Sequence, residues 1–557
     1  MRNIVIVDAM STGKNFISDV IKRNYRPYVL ETALGSDADP AILSGREQFH
    51  RRFSSVAEYL NEKETYEETL EMIRALDPIL VIPGAEDGVV LATRLADDLH
   101  LPGNPYANIE KYISKRAMQE ALKAYGIRYI QGQIVHSVDE AIEFYHREKM
   151  KGCVIKPTRG AGSNGVHLCD NEQEMIEAVE TELQSVNLFG EKSEILMQER
   201  IFGTEYIVNT VSYAGKHRLS SVWRYKKKRV EGGGNVYEYA ELITQLEAGD
   251  QRLIRYAYDV ADAVGYQYGP IHGEFMVDEK GPVLIEINCR PMGGGMTDEF
   301  LDDVLGHHET DNALDSYLDP AWHEKMIEVP YRPFKKAYLT FFIAPEDMKV
   351  VLSPVVQLIR NLRSYHSGSI EAAVSGHLKR TVDLETHGGM LYMKHEDPLI
   401  LQKDVAFLRK VDDRYFDMLF VKEGAEHPDI PDDLESVEEV LKRFGCGRSM
   451  LVLTNDETLD VIAMIVNVEE KREVKGKFNF GILDLDYHEQ EDIESIIDDF
   501  NFLASKIHRG GQILIPKRTY WHLPCGMESV EILCECIGLI IEAPTIKSGD
   551  VIVCTIP

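Results

Sequence analysis

An α/β protein built of several domains is what the sequence predicts, and three observations predict it. Residues 1 to about 105 alternate short apolar runs with helical ones, the pattern of an open parallel sheet. Cys153 to Val166, CVIKPTRGAGSNGV, is a lysine-bearing strand followed by a glycine-rich loop. His272 to Gly295, HGEFMVDEKGPVLIEINCRPMGGG, reads as a β-hairpin of two alternating runs. At 557 residues the chain exceeds one domain and should hold about three or four. Its 44% hydrophobic and 27% charged residues are globular values, and no run of about 18 apolar residues exists to span a membrane. A net charge of -31 argues against nucleic acid and against anionic membrane surfaces. The start, MRNIVIVDAM, reads as a strand rather than a signal sequence. Eight cysteines are too sparse for a disulfide framework and read as reduced, so the expected setting is cytoplasmic.

In the first 105 residues the strands fall at Asn3 to Val7, Tyr28 to Glu31 and Pro78 to Pro83, with helices at Gly13 to Asn24, around Tyr66 to Leu76, and from Asp87. STGKNF is not a P-loop: Asp8 stands where the leading glycine of GxxxxGK[ST] belongs, and Asn15 where the metal-binding hydroxyl belongs. GAEDGVV, Gly84 to Val90, lies at a strand end. Glu86 there is a candidate for gripping an amine, or simply an acid favoured by the dipole at a helix start.

From Ile130 to Glu199 the order strand, helix, strand, Gly-rich hairpin, helix, strand predicts a small lid. Glycines let backbone N–H groups approach phosphate, and Lys156 beside them supplies a point charge, although such a hairpin taken alone is commonly only a turn. The next stretch, ILMQERIFGTEYIVNTV, sets Glu199 and Glu205 on either side of a turn at Gly203. A nucleotide base could be read by the backbone of Gln198 to Ile201, and Glu205 could accept from ribose hydroxyls.

Two clusters precede and follow the hairpin. RYKKKR, Arg224 to Arg229, either faces phosphates or an anionic substrate or is a solvated strand, and EGGGN, Glu231 to Asn235, suggests a mobile loop beside it. GHHETDN, Gly306 to Asn312, is a poor metal site, because adjacent histidines rarely converge on one ion. In the hairpin, a three-residue loop with Gly281 left-handed sets Glu274 opposite Glu286, and the period of two adds Asn288 to the same face. Phe275, Val277, Val283, Ile285 and Ile287 then point the other way. Such hard oxygens suit Mg²⁺, which favours one or two carboxylates plus substrate phosphates. A half-exposed hairpin with solvated acids is the other reading of these residues alone.

Taken in order, Lys115, Lys156, the 158 to 165 loop, Glu199, Glu205, Glu274, Glu286, Asn288 and Arg290 resemble the ATP-grasp superfamily. The resemblance covers about residues 1 to 425 and is closest to carboxylate-amine ligases of the L-amino acid ligase (dipeptide synthetase) group, whose H-x-E...LIEINxRPxGG pattern is met by His272, Glu274 and Leu284 to Gly294. It implies an ATP-grasp fold with a Rossmann-like domain at 1–105, a linker helix and lid at 106–200, a catalytic subdomain at 201–425 and an accessory α/β domain at 426–557. It implies ATP held by Lys115, Lys156, Gly160, Gly162, Ser163, Glu199, Ile201 and Glu205, with Lys115 and Lys156 on the α- and β-phosphates, Glu199 on the adenine amino group and Glu205 on the ribose. It places two Mg²⁺ ions, for which Mn²⁺ may substitute, on Glu274, Glu286 and Asn288, and Arg290 on the charge developing at the acyl centre. Glu86, His272 and Gly294 are the substrate candidates. The implied reaction joins a small-molecule carboxylate and an amine through an acyl phosphate, releasing ADP and phosphate. Two alternatives are a bicarbonate-phosphorylating enzyme of the carbamoyl phosphate synthase or biotin carboxylase type, disfavoured by the lack of an AMKM motif, and a non-catalytic ATP-binding regulator. A homodimer is compatible with all of these.

A boundary is expected at HPDIPDD, His427 to Asp433. Beyond it, strands at Met450 to Leu453, Asn479 to Asp484, Gly511 to Ile515 and Val551 to Thr555, with a helix at Gln490 to Ser505, resemble the second half of a Rossmann-type methyltransferase. LVLTNDETLD, Leu451 to Asp460, lacks the glycine motif that would bind the sulfonium cofactor, so a degenerate appendage is expected. Five of the eight cysteines fall here, among them Cys534 and Cys536, without a CxxC pair, and read as free thiols.

Overall fold

A computed structural model describes residues 1–33, 55–158, 165–184, 194–230, 235–352, 359–360, 362–370, 376–384, 386–414, 420–422, 450–454, 464–467, 478–484, 493–516, 540–541 and 551–555. The chain forms two compact units, residues 1–343 with 381–401, and residues 344–380 with 402–557.

The first unit opens with a four-stranded parallel sheet in the order β3-β2-β1-β4, from β1 (Asn3–Val7), β2 (Arg26–Glu31), β3 (Glu58–Asn61) and β4 (Pro78–Pro83). Val5, Val7, Leu30 and Val81 fill one face with Leu91 and Leu95 of a following helix, and Ile4, Ile6 and Ile82 fill the other with Phe16, Ile17 and Val20. The expected helix at Gly13 to Asn24 is shorter, a 3₁₀ turn at Ser11–Lys14 leading into Asn15–Lys22. Gly13 is pressed on the strand-end loop, where a Cβ would lie 1.9 Å from the Gly84 carbonyl oxygen, and Asn24 leaves the helical region with φ +60°. Edge strand β3 was not legible, because EYLN is too short to show a period.

Residues 132–199 form an antiparallel sheet in the order β5-β8-β6-β7, from β5 (Gly132–Val135), β6 (Cys153–Pro157), β7 (His167–Cys169) and β8 (Ile195–Glu199). Helices Val138–Arg147 and Glu172–Glu182, capped by the side chains of Ser137 and Asn171, cover one face. Phe144, Ile155, Met175 and Met197 meet there. The Gly-rich stretch with Gly160, Gly162 and Ser163, the Glu231 to Gly234 loop and the HPDIPDD boundary lie outside the described residues.

The large sheet of this unit runs β13-β12-β9-β10-β11-β14 and then strand Gly389–His395, with β9 (Thr204–Tyr213), β10 (Lys216–Arg229), β11 (Asn235–Leu242), β12 (Gly269–Asp278), β13 (Gly281–Asn288) and β14 (Lys336–Phe342). Helix Ala248–Val264, with a capping box from Glu247 and Asp250, lies behind it. Phe275, Leu284 and Ile287 are buried against Tyr256 and Val260, each burial stabilising by roughly 1.5–3 kcal/mol.

Glu274 does face Glu286, but by a different route from the one expected. The loop has two residues, closed by the Asp278 and Gly281 pair with Gly281 at φ +106°, and a bulge between Glu274 and Phe275 in the pairing restores the register. The extra residue reverses one step of the alternation, so Leu284 joins Phe275 in the core while Ile285, expected on the apolar face, lines the pocket with the acids.

In the second unit, parallel strands run in the order Met464–Asn467, Met450–Thr454, Phe478–Asp484 and Ile507–Pro516. Val551–Thr555 lies antiparallel beside the last of them, with Ile540–Ile541 at the edge. Helix Ile493–Lys506 matches the expected one within a few residues, and residues 455–460 of the glycine-less segment lie outside the described ones. A smaller sheet is made by Met348–Leu352, His377–Leu378 and Phe420–Lys422. Among the described residues no helix is long and apolar enough to cross a membrane.

Candidate active site

The free face of the lid sheet and the acidic face of the β12–β13 hairpin enclose a cavity of about 490 Å³. Lys115, Lys156, Glu199, Ile201, Glu205, Glu274 and Glu286 all line it. Lys115 is buried. It is the first residue of helix Lys115–Tyr125, capped by Ser114, and its N–H donates to Thr158 O at 3.1 Å, which ties the helix to the end of the lysine strand. Its Nζ lies 2.6 Å from Glu286 Oε2, with both side chains nearly buried.

Lys156 is buried on β6. Burial, helped by the nearby Lys115 charge and opposed by Glu286, Glu274 and Glu205, brings its ammonium down to about 8. Glu274 behaves in the opposite sense. Its burial would raise the carboxyl, but the His272 hydrogen bond and the Lys227, His272 and Lys115 charges outweigh this and hold it at about 2. Glu274 is therefore ionised at neutral pH, as a ligand for a cation must be.

Lys227 completes the ring, and only its RYKKKR context had hinted at it. Along β10 the exposed Arg224, Lys226 and Lys228 alternate with Tyr225 and Lys227, so only the latter two turn inwards. The Lys227 Nζ lies 2.7 Å from Glu205 Oε1 and 4.2 Å from the centre of the Tyr237 ring. The charge of Glu205 keeps this lysine protonated despite burial, while burial pushes the Glu205 carboxyl up.

At the other end, Glu199 Oε1 accepts from the Gln131 N–H at 3.1 Å. Exposed Phe202 overlies Arg200, and Ile201 and Phe202 close the rim. The turn needs Gly203, since a Cβ there would stand 2.3 Å from Val277 O.

The remaining candidates form a second cluster beside the acids. His272 pairs with Asn288 across the hairpin, and its Nδ1 is 2.9 Å from Asn209 Oδ1. Arg290 Nε lies 3.2 Å from Glu86 Oε2, and burial pushes the Glu86 carboxyl up. Glu309, not anticipated, accepts from the Met292 N–H at 2.9 Å and is raised by burial to about 8. Gly294 has φ +88°, and its carbonyl accepts from the Tyr392 hydroxyl. The segment that mimics a P-loop grips this glycine turn instead: Gly295 N–H donates to Ser11 Oγ at 3.0 Å, Met296 N–H donates to Thr12 Oγ1 at 3.1 Å, and Asn15 Nδ2 donates to Met296 O at 3.0 Å.

The paired histidines do not converge. His307 Nε2 meets Ser220 O at 3.2 Å, whereas His308 is held between Asp19 (2.9 Å) and Asp302 (2.6 Å). Asp19, His308 and Asp311 lie close enough to suggest a metal, but both nitrogens of His308 are occupied and Arg23 neutralises Asp311. The cluster is an imidazolium clamp between helices Asn15–Lys22 and Glu309–Leu318.

Residues 150–299 match the family model described as the ATP-grasp domain. The chain is similar to dapdiamide A synthase of Enterobacter agglomerans, 27% identical over 427 residues that span 75% of this chain and 98% of that protein. It is also similar to carnosine synthase 1 of Gallus gallus, 26% identical over 55% of this chain and 34% of that one. Among solved structures, the L-amino acid ligase from Bacillus licheniformis shares the fold with a TM-score of 0.57 and 17% identity, over 74% of this chain and 97% of that chain. Fold, pocket and sequence agreement define an ATP-grasp protein that uses ATP with a divalent metal. Within that superfamily the chain is a carboxylate-amine ligase, an ATP-dependent enzyme that forms C–N bonds.

Proposed function

We propose that this ligase joins an amino acid or a closely related acid to an amine, expected to be a second amino acid, through an acyl phosphate. The observation that carries the reading is the convergence of Lys115, Lys156 and Lys227 with Glu205, Glu274 and Glu286 in one cavity of about 490 Å³, large enough for a nucleotide. Similarity to a dapdiamide synthase and to an L-amino acid ligase supports the amino-acid class of substrate.

The donor set fits two Mg²⁺ ions, with Mn²⁺ as a substitute: Glu274 is ionised, Glu286 faces it across the hairpin, and Asn288 follows on the same strand. Bound there, the metal would neutralise polyphosphate charge and align the γ-phosphate. Lys115 and Lys156 hold the α- and β-phosphates, Gly160, Gly162 and Ser163 are further ATP-binding residues, Glu205 binds the ribose, and Glu199 and Ile201 receive the base. A carboxylate oxygen of the acid forms a bond to the γ-phosphorus as ADP leaves. The amine nitrogen then bonds to the acyl carbon, a proton leaves it, and phosphate departs. Arg290 stabilises the oxyanion of that step, while His272 and the Gly294 turn orient the acid. Glu86, paired with Arg290, holds the ammonium of the amine before it is deprotonated. Residues 1–105 bear the amine site, 106–200 close over the nucleotide, 201–425 carry the carboxylates, and 426–557 contribute no reacting group. The enzyme works in the cytoplasm, as a homodimer.

ADP release across amino acids offered singly and in pairs, with mass spectrometry of the product, tests the reading. Condensed product with ADP is expected only when an acid and an amine are both present. Turnover needing bicarbonate alone, or ATP binding without turnover, would overturn it.

A further inference from the structure

We propose that the Gln198 carboxamide reads the edge of the nucleotide base carrying N7 and the amino group, and so selects adenine. This rests on the proposed reading of the cavity as the ATP site.

Gln198 is only 2% exposed, yet its Nε2 has no hydrogen-bond partner among the described residues. Its direction follows from register. On β8, Ile195 and Met197 enter the lid core, so Leu196 and Gln198 turn to the opposite face. Gln198 pairs directly with Val154, which lines the cavity, and residues directly paired across a ladder share a face. On its other side it pairs with Gly132, where a Cβ would stand 2.7 Å from Gln198 Cγ. The glycine therefore leaves the side chain its place over the cavity.

A buried amide nitrogen without an acceptor is costly unless a ligand supplies one. The carboxamide offers a donor and an acceptor side by side, the complement of adenine's N7 acceptor and amino donor. Guanine carries an acceptor where adenine carries that donor, so it would leave Gln198 Oε1 facing a lone pair. Adenine's amino group has two hydrogens, so a contact to Gln198 coexists with one to Glu199.

The test uses the full chain with ATP, 7-deaza-ATP and GTP as probes, with binding measured by calorimetry and turnover by ADP or GDP release. The wild-type protein should bind 7-deaza-ATP roughly tenfold more weakly than ATP, the worth of one buried hydrogen bond. Gln198→Met should bind the two nucleotides equally and narrow the preference over GTP. Gly132→Ala, which displaces the glutamine without altering it, should move both ratios the same way. Equal binding of ATP and 7-deaza-ATP by the wild type would overturn the role of Gln198 and leave the ATP site standing. Absence of ATP binding by the wild type would overturn the site itself and this inference with it.

Discussion

Replacing Lys227 by methionine should destabilise the ligand-free protein in a way that depends on pH and can be repaired at Glu205. The two side chains are 15% and 12% exposed and 2.7 Å apart. Removing one member of such a pair strands the other charge, at a cost of roughly 3–5 kcal/mol if it stays ionised. Losing the ammonium over Tyr237 adds about 0.5–2 kcal/mol. Glu205 has an escape, because burial already pushes its carboxyl up and without Lys227 it would bind a proton more readily. In the variant its folded-state pKa then lies above the unfolded value, so the folded state holds more protons and stability rises as pH falls. Lys227→Met should thus lose about 3 kcal/mol at pH 7.5 and regain part of it near pH 5.5. Adding Glu205→Gln removes both charges and should bring the protein within about 1 kcal/mol of wild type. Urea unfolding followed by tryptophan fluorescence is the assay, since Trp223 is fully buried on the same strand as Lys227. ATP turnover should stay low in every one of these proteins. A double variant as unstable as the single one would refute the ion-pair reasoning, and wild-type ligation by Lys227→Met would remove Lys227 from the site.

Glu286→Gln should lower turnover at ordinary Mg²⁺ by at least roughly 100-fold, while circular dichroism stays that of the wild type; undiminished ligation would sink the metal assignment. Lys156 sits at about 8 in the ligand-free protein, so it costs stability at low pH, and that cost fades as pH rises from about 8 towards the ordinary 10.5. Bound polyphosphate should reprotonate it, giving uptake of about half a proton at pH 8 in calorimetry with buffers of different ionisation enthalpy, and none in Lys156→Met. His308 is lowered by burial but raised more strongly by Asp19 and Asp302, to about 10. Its contribution is fully present below about 6.5 and is lost as pH rises through about 10, so His308→Gln should cost roughly 3–5 kcal/mol at neutral pH and little above pH 10.5, read from unfolding midpoints across pH.

By itself, the sequence determined the local elements and the identity of the chemical groups. Strands Asn3–Val7, Pro78–Pro83 and Val551–Thr555 lie where their apolar runs put them, because a run bounded by turn residues has few other ways to bury itself. Glu274 opposite Glu286 was legible for the same reason: pairing across a short turn is a local matter. Where two local solutions differ by one residue, the period alone cannot choose between them. Packing of Leu284 against Phe275 and Tyr256 selected the bulge, and that choice sent Ile285 into the pocket. Tertiary structure also decided everything that depends on elements far apart in the chain. Lys227 became a site residue because Glu205 and Tyr237 on neighbouring strands face it, and no spacing within RYKKKR records those partners. The STGKN segment, a failed phosphate loop as a motif, found its use some 280 residues away on the Gly294 turn. The acid of Glu309 and the clamp at His308 are likewise set by burial and by partners on other elements, quantities that exist only once the chain has folded.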